Sequence, residues 1–324
     1  MSERSGHTDG RATAGEADVN ELGGRAALHV GRTISWRELW AQTAERVGSR
    51  PMAQWLCATA SGFDGDEWRE ALDQPVTHRA VAHLDAMLRR LDAGEPLQYV
   101  LGSWAFRHID LMVDRRVLIP RPETEEVAGV AVDLAVDVAG DVGAPVRCAD
   151  LGTGSGAIGL SMAFELATHS PRIDAEVWIT DVSIDALDVA RANIAGLGRG
   201  APTVRVAHGS WFDALPHDRR GRLDVVVANP PYVEDGDPSV EDIVAAWEPH
   251  VALYGGDDGL DHIRTLTAAA PSWLSPGGWL VLEIGAGQGS AVARLLAGAG
   301  LTEVEIRRDA ARRDRIAVAR RARS

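Results

Sequence analysis

Between residues 146 and 320 the chain alternates short, almost uninterrupted apolar runs with helical stretches, and this alternation restricts the fold more than any other feature. The runs VRCADLG (146–152), EVWITD (176–181), VRVAHG (204–209), LDVVVANP (223–230) and WLVLEIG (279–285) read as strands. Strands of near-continuous apolar character belong in a sheet covered on both faces. Helical spacing over roughly 157–166, 184–195, 260–274 and 288–299 supplies the covers, so the expected architecture is a doubly wound, mainly parallel α/β sheet. EVEIRRD (303–309) and RIAVAR (315–320) are close enough to pair as a hairpin, which brings the sheet to seven strands with an antiparallel end.

Upstream the pattern changes. Residues 1–30 are rich in Gly, Ala, Ser, Thr and charge with little periodicity, which predicts a disordered tail. Over 31–94 apolar residues recur at helical spacing (Trp36, Leu39, Trp40 and Val47; Val81, Leu84, Leu88 and Leu91), broken at Pro51, Gly62 and Pro75, as in a small helical domain. The short runs QYVLG and IDLMVD predict a β-hairpin linker over 95–120, and the α/β domain fills 121–324.

Composition narrows the classes. A chain of 324 residues with 45% hydrophobic residues can bury a full core in two domains. No run approaches the ~18 apolar residues of a membrane span, and the N-terminus lacks a signal-peptide core, so a soluble cytoplasmic protein, read as a monomer, is expected. Cys57 and Cys148 stand outside any CxxC or Cys/His spacing and read as small buried apolar residues; His78 and His83 are not at a ligand spacing, so no metal site is expected. A formal charge of −14 opposes phosphate-backbone binding and disfavours a nucleic-acid substrate. All 33 basic residues are Arg, and eight of them lie between Arg307 and Arg323, where a solvated edge strand and tail is the favoured reading over a docking contact.

Two motifs carry chemistry. Gly152-Thr153-Gly154-Ser155-Gly156 follows Asp150 and Leu151 at the end of the first sheet strand. Glycines there allow a tight turn and close approach of a nucleotide-like cofactor, although a bare βα turn would look the same. Asp181, ending the next strand, is placed to accept hydrogen bonds from both ribose hydroxyls; its alternative is a helix N-cap, a role Ser183 can fill. Asn229-Pro230-Pro231-Tyr232 ends the fourth strand. Two prolines stop the strand and stiffen the loop, so the Asn side chain and the Pro230 carbonyl can project as a rigid pair of acceptors for a planar NH2 group, with Tyr232 packing on it. Such a group is a poor nucleophile, and orientation is the main help a protein can give it. Arg121 and Glu123, held by flanking prolines in IPRPETE (119–125), are either a stiff linker and helix start or part of the cleft. Trp211 could stack on an adenine, though a lone aromatic is more often core.

Together EPLQYVLG (95–102), VLIPRPETE (117–125), DLGTGSGAIGL (150–160), SWFDAL (210–215), NPPYV (229–233) and WEPHVALYGGDDGLD (247–261) resemble the peptide chain release factor N5-glutamine methyltransferase family from about residue 95 to the C-terminus. The resemblance implies a class I methyltransferase fold using S-adenosyl-L-methionine on the glutamine of a Gly-Gly-Gln motif in release factors. It implies cofactor contacts from Gly152, Thr153, Gly154, Ser155, Gly156, Asp181, Trp211 and Asn229, and a substrate amide held by Asn229, Pro230, Pro231 and Tyr232, with Arg121 and Glu123 beside it. One departure is Arg312, where similar proteins carry Gly, and it puts the local hairpin geometry in question. Two sibling chemistries share the loop: methylation of a ribosomal-protein glutamine and adenine-N6 methylation, the latter opposed by the acidic balance. A non-catalytic module of the same fold would have no need for Asn229, Pro230 and Tyr232 together with Asp181.

Overall fold

The structure, a computed structural model, describes residues 34–63, 65–142, 145–238 and 241–323; the tail expected over 1–30 lies outside the described residues. The chain divides into two compact units, Met1–Val81 and Ala82–Ser324.

In the first unit, α1 (Trp36–Val47) starts at a capping box: the Ser35 hydroxyl accepts from the Glu38 amide, and the Ser35 amide donates to the Glu38 carboxylate. The left-handed Gly48 ends it. α2 (Arg50–Ser61) opens with a proline in its first turn and is followed by α3 (Gly65–Ala71). Trp36 and Trp68 meet edge to face with centroids 5.6 Å apart and are both buried, which makes them the unit's aromatic centre. α4 spans His78–Asp92.

The second unit departs from expectation at its start. QYVLG is not a strand: Leu97–Leu101 forms a short helix, α5, between Pro96 and the left-handed Gly102, whose amide donates to the Gln98 carbonyl. The antiparallel hairpin is made instead by β1 (Ser103–Phe106) and β2 (Ile109–Met112). The long α6 (Pro122–Val142) then begins at the second proline of the Pro-Arg-Pro segment.

From there strands and helices alternate as the apolar runs require: β3 (Val146–Leu151), α7 (Ala157–Thr168), β4 (Ala175–Asp181), α8 (Ile184–Gly196), β5 (Val204–His208), β6 (Leu223–Ala228), α9 (Asp242–Trp247), α10 (Asp261–Trp273), β7 (Leu274–Glu283), α11 (Gly289–Gly298), β8 (Thr302–Arg308) and β9 (Asp314–Arg320). The strand order is β5-β4-β3-β6-β7-β9-β8, with β9 antiparallel to both neighbours and the other pairings parallel. Alternate strand residues feed two cores. Val225, Val227, Ile179 and Val281 pack with α6, α7 and α8 residues such as Val127, Leu160 and Val189, whereas Val226, Ala228, Leu280 and Leu282 pack with Ile263, Leu266 and Val292 of α10 and α11. The result is the three-layer sandwich of a class I methyltransferase fold.

The chain leaves β3 in one direction, towards β4 and β5, and continues from β6 in the other, so the sheet reverses between β3 and β6. Ligands of open α/β sheets bind beyond the carboxyl ends of strands at such a switch point. The glycine turn after β3 and the Asn229 loop after β6 both emerge there.

The β8–β9 hairpin forms despite Arg312, which adopts a left-handed conformation (φ 63°) that glycine would take at less cost. Its amide donates to the Asp309 carbonyl at 2.7 Å. β8 is an edge strand, as expected of the arginine cluster, and the arginines there also form ion pairs, Arg307 with Glu305, Arg308 with Asp314 and, between β8 and β9, Arg313 with Asp309; Arg320 pairs with Glu303, and Arg315 departs from that expectation in being buried.

Candidate active site

The first cavity, of about 330 Å³, lies over the glycine turn and is lined by Gly152, Thr153, Gly154 and Ser155, with Asp150, Asp181 and Trp211. Gly152, Gly154 and Gly156 all have positive φ, so the turn could not be built from ordinary residues without strain. At Gly152 space adds to the demand, because a Cβ there would meet the Trp211 ring at 2.9 Å. Trp211 itself is held at φ 45°, an uncommon and strained conformation for an aromatic residue. Its ring lies 5.4 Å from that of His262, which lines the same cavity.

Asp181 is not the helix N-cap. Ser183 fills that role by accepting from the Ala186 amide, while the Asp181 carboxylate is anchored by amides of Ser183 (2.8 Å) and Gly154 (2.9 Å), one on each oxygen. Each oxygen retains a lone pair for a further donor. Burial raises its pKa, opposed by those amide bonds. Asp150, near the end of β3, is fully buried, with Oδ2 accepting from the Thr153 hydroxyl and the Gly159 amide and Oδ1 left without a partner among the described residues. Burial, reinforced by the charge of Asp181, pushes its pKa up to about 6 against the pull of the Thr153 and Gly159 bonds. An orphaned acidic oxygen beside a cavity invites a cationic ligand group. The residues therefore fit a cofactor carrying an ammonium, a ribose and a base: Asp150 for the first, Asp181 for the second, and Trp211 as a wall for the third.

The second cavity, of about 400 Å³, is lined by Arg121, Asn229, Pro230, Pro231, Tyr232 and Val233 among others. Asn229 and Pro231 line both cavities, so the end of β6 is the partition where the two meet. Asn229 Nδ2 donates to Thr124 Oγ1 at 3.2 Å; among the described residues no hydrogen bond engages Asn229 Oδ1 or the Pro230 carbonyl. The two acceptors read from the sequence are thus unspent. The Tyr232 hydroxyl donates to Glu283 Oε1 (3.1 Å) and accepts from Arg315 (3.2 Å), and the Arg315 guanidinium sits 5.8 Å from the centre of the Tyr232 ring. Burial and the Glu283 charge push the Tyr232 pKa far up, so its hydroxyl is a donor and not a phenolate. The Gln288 side chain holds the Tyr232 carbonyl at 3.0 Å.

Arg121 lines this second cavity and pairs at 2.7 Å with Glu248, whose other oxygen accepts from the Ile119 amide. Glu123 does not line either cavity; its carboxylate pairs with Arg313 at 3.0 Å. Sequence reasoning did not single out Thr124, Glu248, Glu283 or Arg315, nor Asp150 on its own. A charged residue closing an otherwise apolar central strand, as Asp150 and Glu283 do, was the available signal, because buried charge is costly and rarely kept without a use.

Comparison with known proteins places this geometry in a family. Residues 141–248 match the methyltransferase small domain and residues 42–102 match the PrmC N-terminal domain, so the likeness reaches further upstream than the resemblance read from the motifs. The chain is 40% identical over 248 residues to the release factor glutamine methyltransferase of Xylella fastidiosa (strain 9a5c), covering 76% of this chain and 84% of that one. It is 42% identical over 248 residues to that of Neisseria gonorrhoeae (76% and 83% covered) and 38% identical over 278 residues to that of Burkholderia pseudomallei (84% and 93% covered). With relatives this similar over most of their length, the chain belongs to the release factor glutamine methyltransferase family.

Proposed function

We propose that this enzyme transfers a methyl group from S-adenosyl-L-methionine to the side-chain amide nitrogen of the glutamine in the Gly-Gly-Gln motif of peptide chain release factors, acting as a monomer in the cytoplasm. The observation that carries the reading is the position of Asn229: one side chain forms part of the wall of both cavities and keeps its oxygen unspent.

Bound over the glycine turn, the cofactor supplies an activated methyl group on a sulfonium. The chain's own residues supply orientation. Asn229 Oδ1 and the Pro230 carbonyl accept the two N–H bonds of the glutamine amide, which fixes the plane of the group and the direction of its nitrogen lone pair. Orientation of this kind is worth several kcal/mol of barrier, on the order of the effective molarities of well-aligned reactants. The same two dipoles favour the positive charge that builds on the nitrogen as the new N–C bond forms, and Pro231, Ala252 and Leu118, common to both cavities, give the junction apolar walls that keep water away. On this reading Gly152, Thr153, Gly154, Ser155, Gly156, Asp181 and Trp211 serve the cofactor, and Pro230, Pro231, Tyr232 and Arg121 serve the glutamine. Glu123 acts through Arg313 and the hairpin behind the site rather than by touching substrate.

The test is mass spectrometry of a recombinant release factor after incubation with this protein and cofactor. One added methyl on the Gly-Gly-Gln glutamine is the expected result. A methyl on a ribosomal protein or on adenine, with the release factor unmodified, overturns it.

A further inference from the structure

We propose that Thr124 and Glu283 are positioning residues for methyl transfer: the buried Glu283 carboxylate dictates the direction of the Thr124 hydroxyl, and that hydroxyl dictates which end of the Asn229 carboxamide faces the cavities. The inference rests on the functional reading above and deepens it.

The two ends of an Asn side chain are nearly equal in shape and opposite in hydrogen-bonding sense. Turned one way, Asn229 accepts from a substrate NH2 group; turned the other, it presents its own NH2 and repels one. Nothing in the Asn-Pro-Pro-Tyr loop itself decides between these. The decision comes from α6 and β7, with sequence separations of 105 and 159 residues for the two bonds involved.

Glu283 is completely buried and accepts from Thr124 Oγ1 at 2.7 Å on one oxygen and from the Tyr232 hydroxyl at 3.1 Å on the other. Both Glu283 oxygens stand as acceptors, Oε2 to the Thr124 hydroxyl and Oε1 to the Tyr232 hydroxyl, so the single hydrogen of the Thr124 hydroxyl is spent on Glu283. The Thr124 oxygen is then left as an acceptor towards Asn229. The Asn229 atom 3.2 Å away must therefore be the nitrogen, and Oδ1 is turned to the substrate side. Burial pushes the Glu283 pKa up, opposed in part by the Thr124 bond, the Arg315 guanidinium and the Tyr232 bond. Through its two oxygens the one carboxylate grips both ends of the loop, Asn229 by way of Thr124 and Tyr232 directly.

Thr124→Val keeps the shape of the side chain and removes the hydroxyl. The chain has three asparagines, Asn20, Asn193 and Asn229, so labelling Asn side-chain nitrogens leaves three amide pairs to follow by NMR. In the wild type the Asn229 NH2 should be protected from exchange, and in Thr124→Val it should exchange at least about tenfold faster. Turnover of the release factor should fall about 10- to 100-fold, well beyond any change in the cofactor dissociation constant that follows from Thr124 also lining the first cavity, as befits lost orientation. Thr124→Ser should restore both readouts. Glu283→Gln, which adds a donor where only an acceptor belongs, should lower turnover in the same direction. Unchanged exchange with wild-type turnover in Thr124→Val, a Thr124→Ser variant as impaired as Thr124→Val, or wild-type turnover in a folded Glu283→Gln overturns the proposal. If the wild type fails to methylate release factors, the functional reading falls on that ground alone, and the exchange measurement still decides the orientation of Asn229.

Discussion

The first cavity, where we place the cofactor, has one wall made by backbone and residues close to one another along the chain: a left-handed glycine turn after β3, carboxylates at the ends of β3 and β4, and a tryptophan just after β5. The second cavity, where we place the glutamine, is the opposite case. Its loop is short, but what aims the loop is a network of side chains drawn from α6, β7 and β9, joined by Glu283 and Arg315. The difference is instructive. A site that recognises a large, rigid ligand can be held by turns, whereas a site that must point one atom at another needs its rotamers locked from behind. Damage should therefore separate: changes in the first region weaken cofactor binding, and changes in the second slow the chemistry.

The largest separation is expected at Asn229. Asn229→Ala should lower turnover about 100- to 1,000-fold, the scale seen when one preorganised polar group is removed from a transition state, while weakening cofactor binding less than about tenfold. Isothermal titration beside a single-turnover assay measures both; equal losses in the two would erase the proposed division. Asp181→Ala is the mirror image. Losing hydrogen bonds to a charged acceptor should weaken the cofactor about 10- to 100-fold, with turnover at saturating cofactor within a few-fold of wild type. A turnover collapse at saturation would instead make Asp181 part of the chemistry.

Gly152→Ala should be milder, about tenfold in cofactor affinity, because the added Cβ must displace the Trp211 ring and the backbone must stay left-handed. Fluorescence of Trp211 should shift in the cofactor-free variant; an unperturbed spectrum with unchanged affinity would show that the ring is not held by that contact.

The smallest effect is a pH slope. Asp150 titrates at about 6 instead of the usual 3.8, so in the cofactor-free protein it holds a proton at pH values where a free carboxylate would not. A raised carboxylate pKa means that burying the charge costs stability, and that cost appears as pH rises from about 4 to about 6. Pairing with a cofactor ammonium offsets it and expels the proton. Cofactor affinity should accordingly rise with pH up to about 6, by less than tenfold per unit, and level off above it. Titrations in buffers of different ionisation enthalpy detect the released proton, and Asp150→Asn should flatten the slope; a slope that survives the substitution belongs to another group.

What could be read from the sequence follows the same division. The sheet strands were legible because burial on both faces leaves a continuous apolar run, and the glycine turn and the Asn229 loop were legible because their parts are contiguous. QYVLG misled because five residues are too few for helical periodicity to show, and only Pro96 before it and the left-handed Gly102 after it mark it as a helix. β7 begins earlier than the run WLVLEIG implies, since Leu274 pairs with Leu223 ahead of an irregular Ser-Pro-Gly-Gly stretch that no apolar pattern marks. The network behind Asn229 was illegible for a stronger reason. Thr124 and Glu283 meet only because α6 and β7 pack in one unit, and a pairing across 159 residues leaves no local trace. Arg315 was submerged in a run of arginines, its burial set by the strand it occupies and not by its neighbours.

The most direct measurement is a crystal structure of the protein with S-adenosylhomocysteine and a Gly-Gly-Gln peptide. The glutamine amide nitrogen should lie about 3 Å from both Asn229 Oδ1 and the Pro230 carbonyl, at the partition between the two cavities. A glutamine amide held by other groups, or an Asn229 that meets it through its own nitrogen, would contradict the account.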